Sequence, residues 1–151
     1  MRSFQLTIDC AEPAVLTRFW ATALGYDIEA PPGGFDSWNA YWRSVGVPED
    51  ELDDDVDAAD SLVDPSGHGP RIWFQKVSEA KVVKNRLHLD LTRSGGRTLP
   101  LARRREQVLA EEARLVSAGA TRVRVLDGEA DGIDHFAVTL ADPEGNEFCI
   151  N

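Results

Sequence analysis

A strand pattern, a helix pattern and a glycine follow one another twice along this 151-residue chain, and the repeat constrains the fold more than any other feature. The first copy has the alternating run "FQLTIDC" at 4–10, a helical pattern over 13–24, and Gly25. The second has "KNRLHLDL" at 84–91, a helical pattern over about 101–118, and Gly119. Alternation predicts strands, apolar residues three and four apart predict helices, and glycine is favoured just past a helix end.

Each helical pattern is followed by short strand-like runs between turn residues. In the first half they lie around 26–28, 37–42 and 71–77, and in the second at 121–126, 135–140 and 147–151. The order is therefore β-α-β-β-β, twice, which predicts an α+β fold. Two independent domains would each be small, so we expect one domain over 1–151. Module one is expected at about 3–78, with an acidic loop at 48–60, and module two at about 85–151.

The two copies can be aligned by which way their side chains point. When "LTIDC" is aligned with "LHLDL", Thr7 corresponds to His88. The register of this alignment can be checked, because a slip of one residue would exchange the two faces of a strand. The apolar faces are expected to be buried under the helices: Leu6, Ile8, Leu87 and Leu89, with Val108, Leu109, Leu115 and Val116 facing them. The opposite faces gather polar and aromatic side chains: Gln5, Thr7, Asp9, Trp73, Gln75, His88, Asp90, His135, Thr139, Glu147 and Cys149.

Charge and composition exclude several kinds of partner. With 16 basic and 26 acidic residues the formal charge is −10, which repels nucleic acid and anionic membrane surfaces. No apolar run approaches the length of a membrane span, and no signal peptide is visible, so we expect a cytoplasmic protein with reduced cysteines. In the acidic loop, the aspartates at 53, 55 and 57 resemble a calcium loop, but alanine stands at 58 where glycine is required. A solvated loop is the preferred interpretation.

Several motifs resemble one superfamily. The ending "LADPEGNEFCI", the paired halves and "FQLTIDCAEPAVLTRFWATALGY" resemble glyoxalase/bleomycin-resistance/dioxygenase proteins, also called vicinal oxygen chelate proteins. "PRIWFQKVSEAKVVKNRLHLDL" is similar to their glyoxalase-like branch. The resemblance implies two modules whose mixed sheets form a partly closed barrel around one cavity, commonly as a homodimer. It also implies a divalent ion, in metal-dependent members, held by His and Glu side chains from the first and last strands of each module.

The ligand set implied by the resemblance is incomplete here. His88 fits the first strand of module two, but its counterpart in module one is Thr7. Cys149 stands four residues after Gly145, where metal-binding members usually have glutamate, and Gln75 is the best match in module one. Two alternatives follow: a degenerate site without a cofactor, or one divalent metal ion held by His88, Glu147 and Gln75 with water.

Aromatic residues point to the kind of ligand. Trp73 shares a face with Gln75, and Trp38 and Trp42 fall in the expected middle strands that cover the cleft. Aromatic walls bind flat or cationic groups, so these tryptophans, with Thr7, Gln75 and Cys149, are the predicted binding residues for a small organic ligand, and the negative charge favours a cationic one. The alternative is a metal-dependent lyase, isomerase or dioxygenase with His88 or Glu147 as proton acceptor.

Overall fold

The computed structural model describes residues 3–52, 60–130 and 133–151. The chain divides into two compact units, Met1–Ala80 and Lys81–Asn151, called the first and second unit below. The aspartates compared with a calcium loop lie outside the described residues. Among the helices that the structure describes, none is long and apolar enough to cross a membrane.

The first unit is a four-stranded mixed sheet with two helices. Its elements are β1 (Gln5–Cys10), α1 (Pro13–Leu24), β2 (Asp27–Ile28), α2 (Trp38–Ser44), a 3-10 turn (Glu49–Glu51), β3 (Ser61–Val63) and β4 (Arg71–Lys76). The strand order is β1-β4-β3-β2, in which β1 runs parallel to β4 and the other pairs are antiparallel.

The second unit repeats this topology. Its elements are β5 (Asp90–Leu91), α3 (Leu101–Ser117), β6 (Thr121–Ala130), β7 (Ile133–Ala141) and β8 (Glu147–Ile150). The order is β5-β8-β7-β6, and β5 again runs parallel to the last strand. The predicted α+β fold with two βαβββ copies is confirmed, and the first copy carries α2 in addition.

The two long helices, α1 and α3, each pack an apolar face on the sheet of their own unit. In α1, which ends at Gly25 with a positive φ of 72°, Leu16 and Phe19 are buried, as is the neighbouring Trp20. In α3, Val108 and Leu115 are buried as expected, whereas Leu109 and Val116 are 43% and 44% exposed. The prediction for those two residues is wrong, because the apolar stripe of α3 that contacts the sheet is narrower than the sequence pattern.

The strand predicted at 84–91 is much shorter in the structure. Regular pairing begins only at Asp90, and the backbone bends at Arg86 and Leu87. Before the bend, the Asn85 side chain, rather than a backbone group, accepts a hydrogen bond from the Glu147 N–H (3.2 Å). The bend breaks the alternation, so Leu87 is 84% exposed and its predicted burial is wrong. Leu6, Ile8 and Leu89 are half-buried rather than buried.

A further element of the repeat is the turn between the third and fourth strands of each unit. It has the sequence "DPSG" at 64–67 and "DPEG" at 142–145. The Asp64 and Asp142 carboxylates each accept hydrogen bonds from the backbone N–H groups two and four residues later. Gly67 and Gly145 have φ of 71° and 85°, a conformation that glycine adopts without steric cost. The sequence pattern did not predict that these two turns are equivalent, although both start with the dipeptide Asp-Pro.

Candidate functional site

The first unit contains a cavity of about 500 Å³, called here the tryptophan cavity. It lies between α2, β4 and the start of α1. Three indoles and several charged side chains line it, in a set made up of Glu12, Pro13, Ala14, Trp38, Asn39, Trp42, Val47, Glu51, Leu52, Asp60, Arg71, Trp73, Phe74 and Lys76. The structure therefore brings together the three tryptophans that the sequence predicted as binding residues.

Trp38 and Trp42 reach the cavity from a helix, which corrects the prediction of a strand at 37–42. Ser37 caps α2, and its hydroxyl accepts a hydrogen bond from the Ala40 N–H (3.0 Å). Residues four apart lie on one face of a helix, so the two indoles stack with ring centroids 5.8 Å apart and planes 26° from parallel. The serine cap was the sequence signal for a helix, but the run was too short for a clear helical period.

Hydrogen bonds fix the indole rings. The Trp38 Nε1–H donates to the Glu29 carbonyl (3.1 Å). The Trp73 Nε1–H donates to the Asp60 carboxylate (2.7 Å), whose other oxygen accepts from the Ser61 hydroxyl (2.7 Å). Because the Trp38 and Trp73 donors are satisfied by the protein, these two indoles offer a ligand their ring faces.

The charges that line the tryptophan cavity favour a cation. The Arg71 guanidinium donates to the carboxylate of Glu29 (2.6 and 2.8 Å), to the Gln5 side chain (2.6 Å) and to the Ser61 hydroxyl (2.7 Å). An arginine with this many protein partners has little capacity left for an anionic ligand. The other charged lining residues are Lys76 and the three carboxylates of Glu12, Glu51 and Asp60.

The second unit contains a smaller cavity of about 280 Å³, called here the cysteine cavity. It lies on the sheet face where β5, β6, β7 and β8 carry their polar residues. Its lining consists of Lys84, His88, Asp90, Arg124, Leu126, Ala137, Thr139, Glu147, Cys149 and Asn151. The predicted site residues His88, Glu147 and Cys149 are all in this set.

His88, Asp90 and Cys149 form a cluster within the cysteine cavity. One ligand atom of each lies within 4.8 Å of those of the other two, and His88 Nδ1 is 3.1 Å from Asp90 Oδ1. The parallel pairing of β5 with β8 places Asp90 directly opposite Cys149. Asp90 was not predicted as a site residue. Its position two residues after His88, on the same face of the expected strand, was the feature of the sequence that indicated it.

Glu147 lines the same cavity, but another group holds its carboxylate. The Lys84 ammonium forms an ion pair with it, and this hydrogen bond is the main reason why the pKa of Glu147 lies below its usual value. A carboxylate already neutralised by an ammonium is a poorer metal ligand than a free one. The role of Glu147 as ligand or proton acceptor therefore stays a prediction, with Lys84 as its competitor.

Thr7 and Gln75 are not among the residues that line either cavity. They lie in the sheet of the first unit, where Thr7 is opposite Trp73 and Gln75 is opposite Asp9. The pair Asp9 and Gln75 thus corresponds to the pair Asp90 and Cys149 of the second unit. The position that the sequence gave Gln75 agrees with this register, and its role in binding a ligand or metal stays a prediction.

The donor set of the cluster fits a divalent cation. An imidazole, a carboxylate and a thiol are all established ligands of first-row metals and zinc, and they converge here on one wall of a cavity. A cation bound by them would supply a positive charge that polarises an oxygen atom of a ligand.

Comparison with known proteins agrees with this architecture. The family model of the glyoxalase-like domain matches residues 5–151, and the chain belongs to this family. Among the curated proteins, none matches the chain. The fold is similar to a glyoxalase/bleomycin resistance protein/dioxygenase family enzyme from Burkholderia phytofirmans, with 17% identity, coverage of 97% of this chain and 94% of that one, and a TM-score of 0.56.

A second similar structure is a mutant of the fosfomycin resistance protein FosX from Listeria monocytogenes, complexed with Mn(II) and 1S,2S-dihydroxypropylphosphonic acid. It has 10% identity and a TM-score of 0.58, and the match covers 100% of this chain and 90% of that one. A glyoxalase/bleomycin resistance protein from Albidiferax ferrireducens has 15% identity and a TM-score of 0.52, with coverage of 97% and 95%. Identities this low establish the fold and not the activity.

Proposed function

We propose that this protein binds a small, flat organic cation in the tryptophan cavity without transforming it. The observation that carries the proposal is the set of three indoles, Trp38, Trp42 and Trp73, beside the carboxylates of a cavity of about 500 Å³. That volume is in the range of cavities that hold small organic ligands.

The physical argument rests on the ring faces. A cation over an indole face is attracted by the ring quadrupole, with about 0.5–2 kcal/mol per contact depending on desolvation. Stacking leaves the outer ring faces of Trp38 and Trp42 for such contacts, and Trp73 adds a second wall. The carboxylate of Asp60 lies next to the Trp73 ring nitrogen, so its charge reinforces the attraction of that wall for a cation.

The test compares three probes of similar shape in tryptophan-fluorescence and calorimetric titrations: N-methylquinolinium, neutral quinoline and a naphthalenesulfonate anion. We expect the cation to bind most tightly and the anion least. Trp42→Leu, which removes a 40% exposed indole, should weaken cation binding by about two- to thirtyfold. The matched control is Val45→Ala, an exposed apolar residue at the end of α2 that does not line the cavity, and it should bind as the unmodified protein does.

Equal affinities for the cation and the neutral probe would contradict the charge argument. Unchanged binding in Trp42→Leu would contradict the assignment to this cavity. The proposal requires no metal, so a chelator should leave cation binding unchanged.

A second candidate function is a metal-dependent lyase, isomerase or dioxygenase centred on the cysteine cavity. The specific observation in its favour is that His88 lies there with Asp90 and Cys149. Its test is the metal content of protein purified without chelators. A near-stoichiometric divalent ion that is lost in His88→Ala, together with turnover of any probe that depends on it, would place this function ahead of simple binding.

Cytoplasmic location and assembly as a homodimer belong to the same proposal. The homodimer rests on the resemblance to the family, and the cytoplasmic location stays an expectation from the sequence. Sedimentation velocity should give the mass of two chains, and a single-chain mass at micromolar concentration would contradict the dimer.

A further inference from the structure

We propose that His88, Asp90 and Cys149 form a binding site that selects zinc-class, thiophilic divalent cations over manganese and magnesium. The inference does not depend on the tryptophan cavity or on catalysis. It assigns Asp90 as a ligand and gives Cys149 the selecting role.

The backbone places the three donors. Asp90 and Cys149 are register partners in the parallel pair β5–β8, and the Cys149 N–H donates to the Leu89 carbonyl (2.9 Å). His88 lies immediately before Leu89, just outside the regularly paired segment. Two adjacent strands thus hold Asp90 and Cys149, and the residue two before Asp90 supplies the imidazole.

The spacing suits a cation. A metal bonded at about 2.0–2.3 Å to each of three ligands in tetrahedral geometry requires the ligand atoms to lie about 3.5 Å apart. The three atoms here lie within 4.8 Å of one another. Small side-chain rotations would close the difference, and the fourth position would face the open space of the cavity, where water can bind.

The donor types set the selectivity. A thiolate is a soft ligand that favours zinc and its heavier relatives, whereas manganese and magnesium favour sets made of carboxylates, carbonyls and water. Together a thiolate and a carboxylate also balance the charge of a divalent ion, with neutral imidazole as third ligand. With Cys149 in the set, the site should therefore prefer zinc or cadmium.

The Cys149 sulfur has polar neighbours. The Thr139 hydroxyl is 3.4 Å from Cys149 Sγ, and Arg124 Nε–H donates to the Thr139 oxygen (3.4 Å), which leaves the hydroxyl hydrogen free to point at the sulfur. The other charged groups that line the cavity are Lys84 and Glu147, which form an ion pair with each other. Arg124 also lines the cavity and is the cation that opposes metal binding.

The experiment is a titration of chelator-treated, reduced, full-length protein with cadmium(II), monitored by the ultraviolet thiolate-to-cadmium charge-transfer band. We expect the band to saturate at one equivalent, zinc(II) to displace cadmium, and a hundredfold excess of manganese(II) to leave the band in place. Cys149→Ser should abolish the band even though Cys10 remains, because Cys10 is buried. Asp90→Asn should weaken cadmium binding at least tenfold.

The matched control is Asp9→Asn, which changes the corresponding position of the first unit and should leave the titration unchanged. Circular dichroism of each variant checks folding, and His88→Ala supplies a second ligand deletion if Cys149→Ser does not fold. A band that survives in Cys149→Ser, the absence of a band in the unmodified protein, or displacement of cadmium by manganese would each overturn the proposal. None of these results affects the cation-binding test, which concerns the other unit.

Discussion

Asp64 shows how one side chain can organise a turn and make stability depend on pH. Its carboxylate accepts hydrogen bonds from the Ser66 hydroxyl and from the backbone N–H groups of Ser66, Gly69 and His68, which lower its pKa from 3.8 to about 2. A lowered folded-state pKa means that the ionised form stabilises the fold above pH 3.8, and that this contribution is lost as the pH falls through about 2.

The prediction for Asp64 is that Asp64→Asn reduces the loss of stability between pH 4 and pH 2, because the amide does not titrate. Urea unfolding midpoints measured across that range for the variant and the unmodified protein provide the check. Asp50→Asn, in the exposed 3-10 turn, is the control and should keep the original slope. Identical slopes in all three proteins would show that the Asp64 turn is not the source of the acid sensitivity.

Thr17 illustrates the opposite case, a buried polar atom with no partner among the described residues. The residue is 1% exposed in α1, and its hydroxyl makes no hydrogen bond there. Leaving a buried hydroxyl unsatisfied costs about 1–3 kcal/mol, so Thr17→Val should stabilise the fold by roughly 1 kcal/mol. Chemical denaturation measures this directly, with the exposed Thr22→Val as the matched control. A destabilised Thr17→Val protein would mean that the hydroxyl has a partner, such as a buried water.

At the scale of elements, the two strands that position the cysteine cavity differ sharply in how firmly they are held. Phe148 and Ile150 of β8 are fully buried, whereas the segment before β5 has Leu87 in solvent. A strand in the middle of a sheet pairs on both sides, and β8 lies between β5 and β7. In the cluster of His88, Asp90 and Cys149, the cysteine therefore lies on a strand that is paired on both sides. The histidine lies on the irregular segment before β5.

This contrast predicts different costs for two similar truncations. Ile150→Ala should destabilise the protein by about 2–5 kcal/mol, because it leaves a cavity in the core. Leu87→Ala should change stability by less than about 0.5 kcal/mol, since little apolar surface is lost. Both are read from denaturant midpoints at constant m-value. A large loss in Leu87→Ala would restore the original prediction that this residue is buried.

At the scale of the whole molecule, the formal charge of −10 acts on any charged ligand before contact is made. The Debye length shrinks from about 30 Å at 0.01 M salt to about 3 Å at 1 M salt, so distant charges are screened at high salt. We therefore expect the affinity for the organic cation to fall as salt is added, while that for a neutral probe stays nearly constant. Titrations at both ends of this range are the measurement, and a salt-independent cation affinity would show that only contacts within the cavity matter.

Neighbouring residues in the chain are enough to predict most of the elements and their repetition. The alternation at 4–10 and the helical periods of α1 and α3 reflect local sterics and the need to bury one face, so the chain carries them in neighbouring residues. The same parity predicts one face for His88, Glu147 and Cys149, and all three line the cysteine cavity. Where an element is short, as with α2, the helical period is not visible, and the sequence pattern predicts a strand for Trp38 and Trp42.

Contacts between residues that are distant in the chain depend on the tertiary structure. No local pattern shows that β5 pairs in parallel with β8, and it is this pairing that puts Asp90 opposite Cys149. The ion pair between Lys84 and Glu147 and the exposure of Leu87 likewise depend on how the segment before β5 lies against the start of β8. The physical reason is that periodicity records how a residue relates to its neighbours in the chain, whereas strand pairing and side-chain clusters are settled by the free energy of the packed fold.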